Sequence, residues 1–217
     1  MSGEKIETAR EALTRFIQTS HTQDEYSLIA FNSHADVLLE RTRDADAVLR
    51  KLTYIKPHGD TALYDAVYLG VEKLRRGTHP KRVLLLITDG DENDSRYTFR
   101  EVRDSLAESG TIVYSVCILD PIRLTGKAGM RVQDILNGLS AATGGKAFYP
   151  RSESEMVDDF ERIALELRHL YSIGYRPKDF TADGRWHSIK VKVAPPAGYP
   201  KVSVRSRRGY NAVPGLR

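Results

Sequence analysis

The sequence predicts an α/β fold: a doubly wound, mostly parallel sheet with helices on both faces, followed by a C-terminal antiparallel β appendage. Apolar residues at helical spacing alternate with short strand-like runs over residues 1–170. The run RVLLLIT at 82–88 is apolar on both faces, which is typical of a central parallel strand. After residue 170, apolar and polar residues alternate in three short segments, 171–175, 188–193 and 202–206, which favours an antiparallel sheet with one exposed face.

The main domain, residues 1–170, is predicted element by element. A first helix precedes two short strands, YSLIAF and DVLLE, and a second helix begins near Asp60 or Thr61. After the strand at 82–88 come a helix at 96–108, a strand at 112–118, a helix that ends at Gly144, the short strand KAFYP and a final helix. Strands separated by helices of this length imply right-handed crossovers and hence a doubly wound sheet.

Residues 171–217 form the predicted β appendage, packed on the main domain. Its three strands are YSIGY, SIKVKV and VSVRS, separated by turn-rich connections. Because side chains alternate along a strand, we expect Ile189, Val191 and Val193 to face the core.

Composition excludes several functional classes. The 217 residues are 29% charged and 41% hydrophobic, with a net charge of +4. No apolar run approaches the roughly 20 residues of a membrane helix, and the N-terminus has no signal-peptide pattern. The basic residues of 201–217 are typical of a solvated tail, and no basic stripe with interleaved aromatic side chains elsewhere in the sequence supports nucleic-acid binding.

An acidic cluster follows the predicted central strand in the stretch LLLITDGDENDS, residues 84–95. In parallel α/β sheets, ligands bind just beyond the carboxyl ends of the strands, and Asp89 stands at such an end. A purely structural interpretation is also open, in which Asp89 begins a turn and the following acidic residues cap the next helix. A calcium loop of the EF-hand type is excluded, because Asp94 and Arg100 occupy positions that require glycine and glutamate.

An enzyme is the first functional alternative for this cluster. An apolar strand followed by Asp-x-Asp resembles the first motif of the haloacid dehalogenase-like phosphatases, with Asp89 as nucleophile and Asp91 as acid/base. Asn93 departs from that motif, and the later pair at 158–159 falls on a predicted helix and not at a strand end.

A metal site is the second alternative. Thr61 lies in GDTALYDAV, where a helix is about to begin, so its hydroxyl is presented from a loop. If that loop neighbours Asp89, a hydroxyl and a carboxylate converge beyond the sheet, and Mg²⁺ prefers oxygen ligands of this kind. Helix capping by Thr61 is the structural alternative.

Several motifs together resemble the von Willebrand factor type A domain, and most closely a bacterial branch of that family. They are GDTALYDA, LLLITDGDENDS, ATGGKAF, LRHLYSIGYRP, DGRWHSIKVKV and RRGY, in this order. The resemblance implies a protein-interaction module and not an enzyme, with a metal-ion-dependent adhesion site (MIDAS) at the top of the sheet. The threonine and the aspartate of that site correspond to Thr61 and Asp89.

One family element has no counterpart in this sequence. The Asp-x-Ser-x-Ser loop and the first strand that carries it are absent, and Met1 falls just after them, so the chain looks truncated. We therefore expect YSLIAF and RVLLLIT to flank a vacant strand position, and Mg²⁺ or another divalent cation to bind weakly. The implied partner is a protein that offers a carboxylate to the ion. Members of this branch are frequently exported, but the chain itself does not specify a compartment.

Overall fold

A computed structural model of the protein describes residues 3–55, 60–89, 92, 94–175, 177–178, 180–200 and 202–212. Residues 3–6 and residue 121 are described by their backbone alone. In chain order the elements are α1 Gly3–Gln18, β1 Tyr26–Phe31, β2 Ala35–Thr42, α2 Ala45–Leu52, α3 Leu63–Arg75, β3 Arg82–Thr88, α4 Phe99–Ser109, β4 Thr111–Cys117, α5 Pro121–Leu124, α6 Lys127–Thr143, β5 Lys146–Phe148, α7 Glu153–Arg168, β6 Trp186–Ser188 and β7 Gly209–Asn211.

A parallel sheet of order β3-β4-β5 forms the centre of the main domain. The register runs from Arg82 opposite Thr111 to Thr88 opposite Cys117, so the predicted strand at 82–88 is confirmed over its full length. The prediction that this strand is the central one is wrong for the described residues. The central strand is β4, which is almost wholly buried, whereas most of β3 is only partly buried.

Helices cover both faces of this sheet, as the sequence predicts. On one face α3, α4 and α6 bury a cluster that includes Val67, Leu86, Val102, Val113 and Leu136. On the other face α1 and α7 pack against β4, and this second cluster includes Ala12, Tyr114, Val116, Phe160 and Ile163. No helix among the described residues is long and apolar enough to cross a membrane.

The hairpin of β1 and β2 is antiparallel and forms a sheet of its own. Its position is fixed at the start of α3, where the Ala62 N–H donates to the Asn32 carbonyl at 2.6 Å. Asn32 directly follows β1, so the carboxyl end of β1 meets the amino end of α3.

The ends of α4 and α6 follow from local sequence. α4 begins with a capping box, in which Thr98 accepts from the Glu101 N–H and the Glu101 side chain accepts from the Thr98 N–H. Its first residue is Phe99, three residues later than predicted. α6 ends at Gly144, as predicted, because glycine adopts the left-handed conformation (φ 83°) of this C-cap without strain.

The C-terminal segment, residues 171–217, contains less strand than the sequence predicts. The segments 171–175 and 202–206 are not strands, and of 188–193 only Ser188 lies in one. Two short strands, β6 and β7, pair in antiparallel fashion instead. Val191 and Val193 are exposed (37% and 54%) and do not face a core. Alternation specifies which side of a strand would be buried, but it does not supply the neighbouring strand that buries it.

Candidate functional site

The candidate site lies where the carboxyl ends of β1 and β3 meet the amino end of α3. A cleft of about 1720 Å³ opens here and runs between the two strands. Asp60, Thr61 and Asp89 all line it. Thr61 and Asp89, the two residues singled out from the sequence, are each partly buried, and each has interactions of its own.

Thr61 does not cap α3, although helix capping was the structural alternative for this residue. The N-cap is Ala62, which has no side chain able to accept a hydrogen bond. The first free amides of α3 are satisfied instead by the loop that follows β3. The Tyr64 N–H donates to Glu92 Oε2 at 3.0 Å and to Ser95 Oγ at 2.9 Å.

Glu92 and Ser95 act as a single capping unit. The Ser95 hydroxyl donates to Glu92 Oε2 at 2.9 Å, and the Ser95 N–H donates to Glu92 Oε1 at 3.0 Å. The same hydroxyl accepts from the Asp65 N–H at 3.2 Å. A carboxylate at a helix N-terminus is also stabilised by the helix dipole. Part of the acidic cluster therefore caps α3, which precedes it in the chain, and not α4, which follows it.

Asp65 makes a second connection between α3 and this loop. Its buried carboxylate accepts hydrogen bonds from the Arg96 and Tyr97 backbone N–H groups, at 2.9 and 3.2 Å, and from Arg96 Nε at 2.9 Å. Burial raises the pKa of the Asp65 carboxyl group, but these hydrogen bonds outweigh burial, so its pKa lies below the usual value. The loop is further held by the Tyr97 ring, which stacks on Tyr68 of α3 with ring centroids 4.0 Å apart.

Sequence reasoning did not identify this network of Asp65, Glu92 and Ser95. The hydrogen bonds that connect it to α3 join residues 28 to 32 positions apart, and no local motif signals them. Their effect is to fasten the loop that contains Asp89 to the helix that follows Thr61.

The oxygen atoms of Thr61 and Asp89 are ligands of the kind that a hard cation prefers, but they are few. Among the described residues, no group of three or more His, Cys, Asp or Glu side chains could hold a metal ion. A cation at this edge would therefore be held by the Thr61 hydroxyl and the Asp89 carboxylate, with water at most other positions. Asp91, the second residue of the phosphatase alternative, lies outside the described residues.

Comparison with known proteins supports the family resemblance. Residues 1–92 match the family model of the von Willebrand factor type A domain. An uncharacterised protein of Synechocystis sp., sll0103, is 24% identical over 173 residues, which are 78% of this chain and 39% of that protein. The inter alpha-trypsin inhibitor heavy chain 4 of Mus musculus is 28% identical over 131 residues, 55% of this chain and 14% of that protein. The chain thus spans well under half the length of these relatives.

Solved structures share the fold at low sequence identity. An aerotolerance-related membrane protein from Bacteroides fragilis aligns with a TM-score of 0.60 at 17% identity, covering 76% of this chain and 89% of that one. A von Willebrand factor type A protein from Catenulispora acidiphila aligns with a TM-score of 0.54 at 16% identity, and the alignment covers 75% of this chain and 38% of that one. Proximal thread matrix protein 1 from the mussel byssus, whose structure has a zinc-occupied MIDAS motif, aligns with a TM-score of 0.57 at 13% identity. The alignment covers 76% of this chain and 43% of that one.

The family match and the shared fold agree with the motifs that first suggested the resemblance. The matched segment includes the hairpin, α3, β3 and both Thr61 and Asp89. Residues 1–92 of the chain match the model of the von Willebrand factor type A domain family, and its parallel sheet with helices on both faces has the fold of a solved type A protein.

Proposed function

We propose that the protein is an adhesion-type interaction module that binds a protein ligand through a divalent cation held by Thr61 and Asp89. The match of residues 1–92 to the type A family model supports the interaction role. The cation site is supported by the position of both residues in the lining of one cleft. Glu92 and Ser95 fasten the loop after β3 to the start of α3 at this end of the cleft. The ion offers a coordination position to a carboxylate of the partner, as hard cations accept oxygen ligands.

Mg²⁺ is the first candidate for the cation, and a second divalent ion such as zinc is the alternative. The mussel thread protein of the same fold holds zinc in its MIDAS motif. Because few protein oxygens are available, we expect weak binding, with a dissociation constant of about 10⁻⁴–10⁻³ M, the range of the weaker protein calcium sites.

We also propose that residues 1–170 are the interaction domain and that residues 171–217 pack on it as an accessory segment. Support comes from two contacts. Arg205 forms an ion pair with Glu166 of α7, and the Asn211 side chain donates to Glu108 Oε1 of α4 at 3.0 Å.

Isothermal titration calorimetry with MgCl₂, MnCl₂ and ZnCl₂ tests the cation site. Asp89→Asn and Thr61→Ala are expected to abolish the heat of binding. Asp94→Asn is the matched control, because it removes the same charge from the same loop at an exposed residue that is not part of the cleft lining. Equal loss of binding in Asp94→Asn would show that general negative charge attracts the ion, and would contradict a site at Asp89.

The phosphatase alternative is tested separately. Members of the type A family generally act without catalysis, so the wild-type protein is expected to leave p-nitrophenyl phosphate intact in the presence of Mg²⁺. Hydrolysis that is lost in Asp89→Asn and retained in Asp94→Asn would replace the interaction role with phosphoryl transfer.

A further inference from the structure

The C-terminal segment, residues 171–217, differs in charge from the rest of the chain. It contains ten basic and two acidic residues, whereas the whole chain has 33 basic and 29 acidic ones. Residues 1–170 therefore carry a net negative charge, and the segment alone accounts for the positive charge of the protein. An uneven distribution of this kind is typical of chains that bind an anionic polymer or an anionic membrane surface.

Most of the segment's cations are not neutralised by the protein. Among the residues that the structure describes, Arg185 lies 3.9 Å from the Asp183 carboxylate, and Arg205 forms an ion pair with Glu166. The other exposed cations of the segment form no ion pair with a described residue, and they are Lys178, Lys190, Lys192, Arg207 and Arg208. These positive charges are open to an external ligand.

The same segment exposes large apolar side chains. Of the 14 such side chains that are exposed among the described residues, ten lie in this segment. They include Trp186 at 50%, Tyr199 at 70% and Val193 at 54% exposure. Exposed apolar surface that is concentrated in one place marks an interaction site, whereas single apolar residues scattered over a surface do not.

Cations and apolar side chains occur side by side in the segment. The Ile189 N–H donates to the Arg208 carbonyl at 2.8 Å, at the end of the antiparallel pairing of β6 with β7. Continued in the same register, the pairing would set Lys190 opposite Arg207, beside the exposed Val191. Like charges in such positions destabilise strand pairing, and an anionic surface that covers both strands would remove this repulsion.

The segment is attached at the amino end of the parallel sheet. The Asn211 side chain donates to Glu108 Oε1 at 3.0 Å, and Glu108 lies at the end of α4, just before β4. A Cβ atom on Gly144, just before β5, would lie 2.6 Å from the carbonyl carbon of Ser206. The candidate cation site is at the carboxyl end of β3, so the segment and that site lie at opposite ends of the sheet.

We propose that the C-terminal segment binds the surface of a membrane that contains anionic lipid, so that the opposite end of the sheet faces away from the membrane. Tryptophan and tyrosine favour the membrane–water interface. Lysine and arginine near an anionic leaflet add to the attraction. The exposed valines favour lipid over a nucleic acid, because single-stranded nucleic acids stack on aromatic rings and offer valine no comparable apolar surface.

Vesicle flotation tests the proposal with the complete chain. The vesicles consist of phosphatidylcholine alone or with about one-third phosphatidylserine. EDTA is present throughout, so neither the candidate cation site nor a bridging cation contributes. The protein is expected to float only with the phosphatidylserine vesicles, and less in about 1 M salt, which limits the attraction to about 3 Å. Absence of binding, or equal binding to both kinds of vesicle, would overturn the proposal.

Trp186 reports whether the apolar side chains enter the interface. It is the single tryptophan of the chain, and it belongs to β6. Its fluorescence emission is expected to shift to shorter wavelength when phosphatidylserine vesicles are added, and the titration gives the partition coefficient. Flotation without this shift would show attraction by charge alone, and would overturn the proposed contact of the apolar side chains with lipid.

A pair of lysine variants tests the role of the segment's charge. The double variant Lys190→Gln, Lys192→Gln is expected to lower the partition coefficient by about twenty- to thirtyfold, or about fivefold for each lysine. The control is Lys51→Gln, Lys127→Gln, which has the same net charge but changes exposed lysines of α2 and α6. It is expected to bind like wild type. Equal loss in the two double variants would show that overall charge attracts the vesicle, and would contradict a site in the segment.

A pair of valine positions tests the apolar contact. The double variant Val191→Ser, Val193→Ser is expected to lower the partition coefficient by about tenfold, because less apolar surface enters the interface. Ile122→Ser is the control, since Ile122 is 83% exposed but lies beyond the carboxyl end of β4, and it should bind like wild type. Unchanged binding of the valine variant would contradict the apolar contact.

A labelled single-stranded DNA of mixed sequence tests the other anionic ligand. Fluorescence anisotropy is expected to show weaker binding than that to phosphatidylserine vesicles. Tighter binding to the DNA, unaffected by Val191→Ser and Val193→Ser, would identify a nucleic acid as the ligand and would overturn the membrane surface.

Discussion

Asp65 and Arg96 are joined by two hydrogen bonds of 2.9 Å across 31 positions of sequence, one from the Arg96 backbone N–H and one from its Nε. The Asp65 carboxylate is buried, whereas the Arg96 side chain is 85% exposed. Because Asp65 lies in the first turn of α3 and Arg96 follows the Asp89 loop, this pair holds the two segments of the candidate site together.

Replacement of Asp65 by asparagine is expected to lower the free energy of unfolding by about 1–3 kcal/mol at neutral pH, because it leaves buried donors without a good acceptor. The folded-state pKa of Asp65 is lowered, so its contribution is complete above the unfolded value of about 3.9 and is lost as pH falls through the folded value. Urea unfolding should show that wild type and variant differ most above about pH 5 and converge below about pH 4.

Asp104→Asn is the control for this pH dependence. Asp104 is about half exposed and pairs with arginines on the surface of α4. Its replacement should change stability by less than about 1 kcal/mol. A difference between wild type and Asp65→Asn that stays constant from neutral to acidic pH would contradict the role assigned to the ionised carboxylate.

Ser95→Ala is expected to destabilise the protein through α3, a helix to which Ser95 does not belong. The variant removes the oxygen that accepts from the Tyr64 and Asp65 N–H groups, and loss of an N-cap costs about 0.5–2 kcal/mol. Chemical denaturation measures the loss, and hydrogen exchange should locate it in the first turn of α3. Ser203→Ala, at an exposed position, should change neither the stability of the protein nor hydrogen exchange in the first turn of α3.

Glu92→Ala tests whether Glu92 and Ser95 act as one unit. Both residues accept from the Tyr64 N–H and they bond to each other, so the double variant should lose less stability than the two single variants combined. Additive losses in a double-mutant cycle would show that the two caps act independently.

The sequence predicts elements well where the relevant forces are local. The strand at 82–88 is apolar on both faces and was predicted to its exact ends, and Gly144 marks the end of α6 because the C-cap requires a left-handed residue. The start of α3 was predicted near Asp60 or Thr61, two or three residues before its first residue, Leu63, because its caps are Glu92 and Ser95, which come from another part of the chain.

The same distinction applies to the site and to the C-terminal segment. Thr61 and Asp89 could be singled out because each adjoins a regular element, but the capping network between them depends on tertiary structure. In the C-terminal segment, the alternating residues Val191 and Val193 have the pattern of a strand but no neighbouring strand to pair with among the described residues. Strand formation requires such a partner, whereas a helix satisfies its own backbone.

Gly145→Ala is expected to be strongly destabilising. A Cβ atom on Gly145 would lie 1.9 Å from the carbonyl oxygen of Val113, in the buried strand β4. Backbone on both sides must move to relieve this overlap, at a cost of about 1–3 kcal/mol or more. Thermal unfolding measures the effect. Gly174→Ala is the matched control, since nothing lies within 4 Å of its Cβ position, and it should melt like wild type.

The last prediction concerns Tyr114, which is buried at 1% exposure in β4. Burial, with a smaller contribution from the charge of Glu166, raises the pKa of its phenol to about 12. Above the unfolded value of about 10, the folded protein therefore retains a proton that the unfolded chain has lost. Stability conferred by this group is complete below about pH 10 and falls by about 1.4 kcal/mol per pH unit up to about 12.

Tyr114→Phe should remove that part of the alkaline destabilisation. At pH 8 the variant is expected to be less stable than wild type by about 0.5–1.5 kcal/mol, because it lacks the hydroxyl's polar contacts. Between pH 10 and about 12 the difference should shrink and then reverse, because phenylalanine has no proton to lose. Reversible urea unfolding across this range measures both changes, with Tyr54→Phe, at 79% exposure, as the control. If the free energies of unfolding of wild type and Tyr114→Phe change in parallel with pH, then Tyr114 ionises as readily in the folded protein as in the unfolded chain.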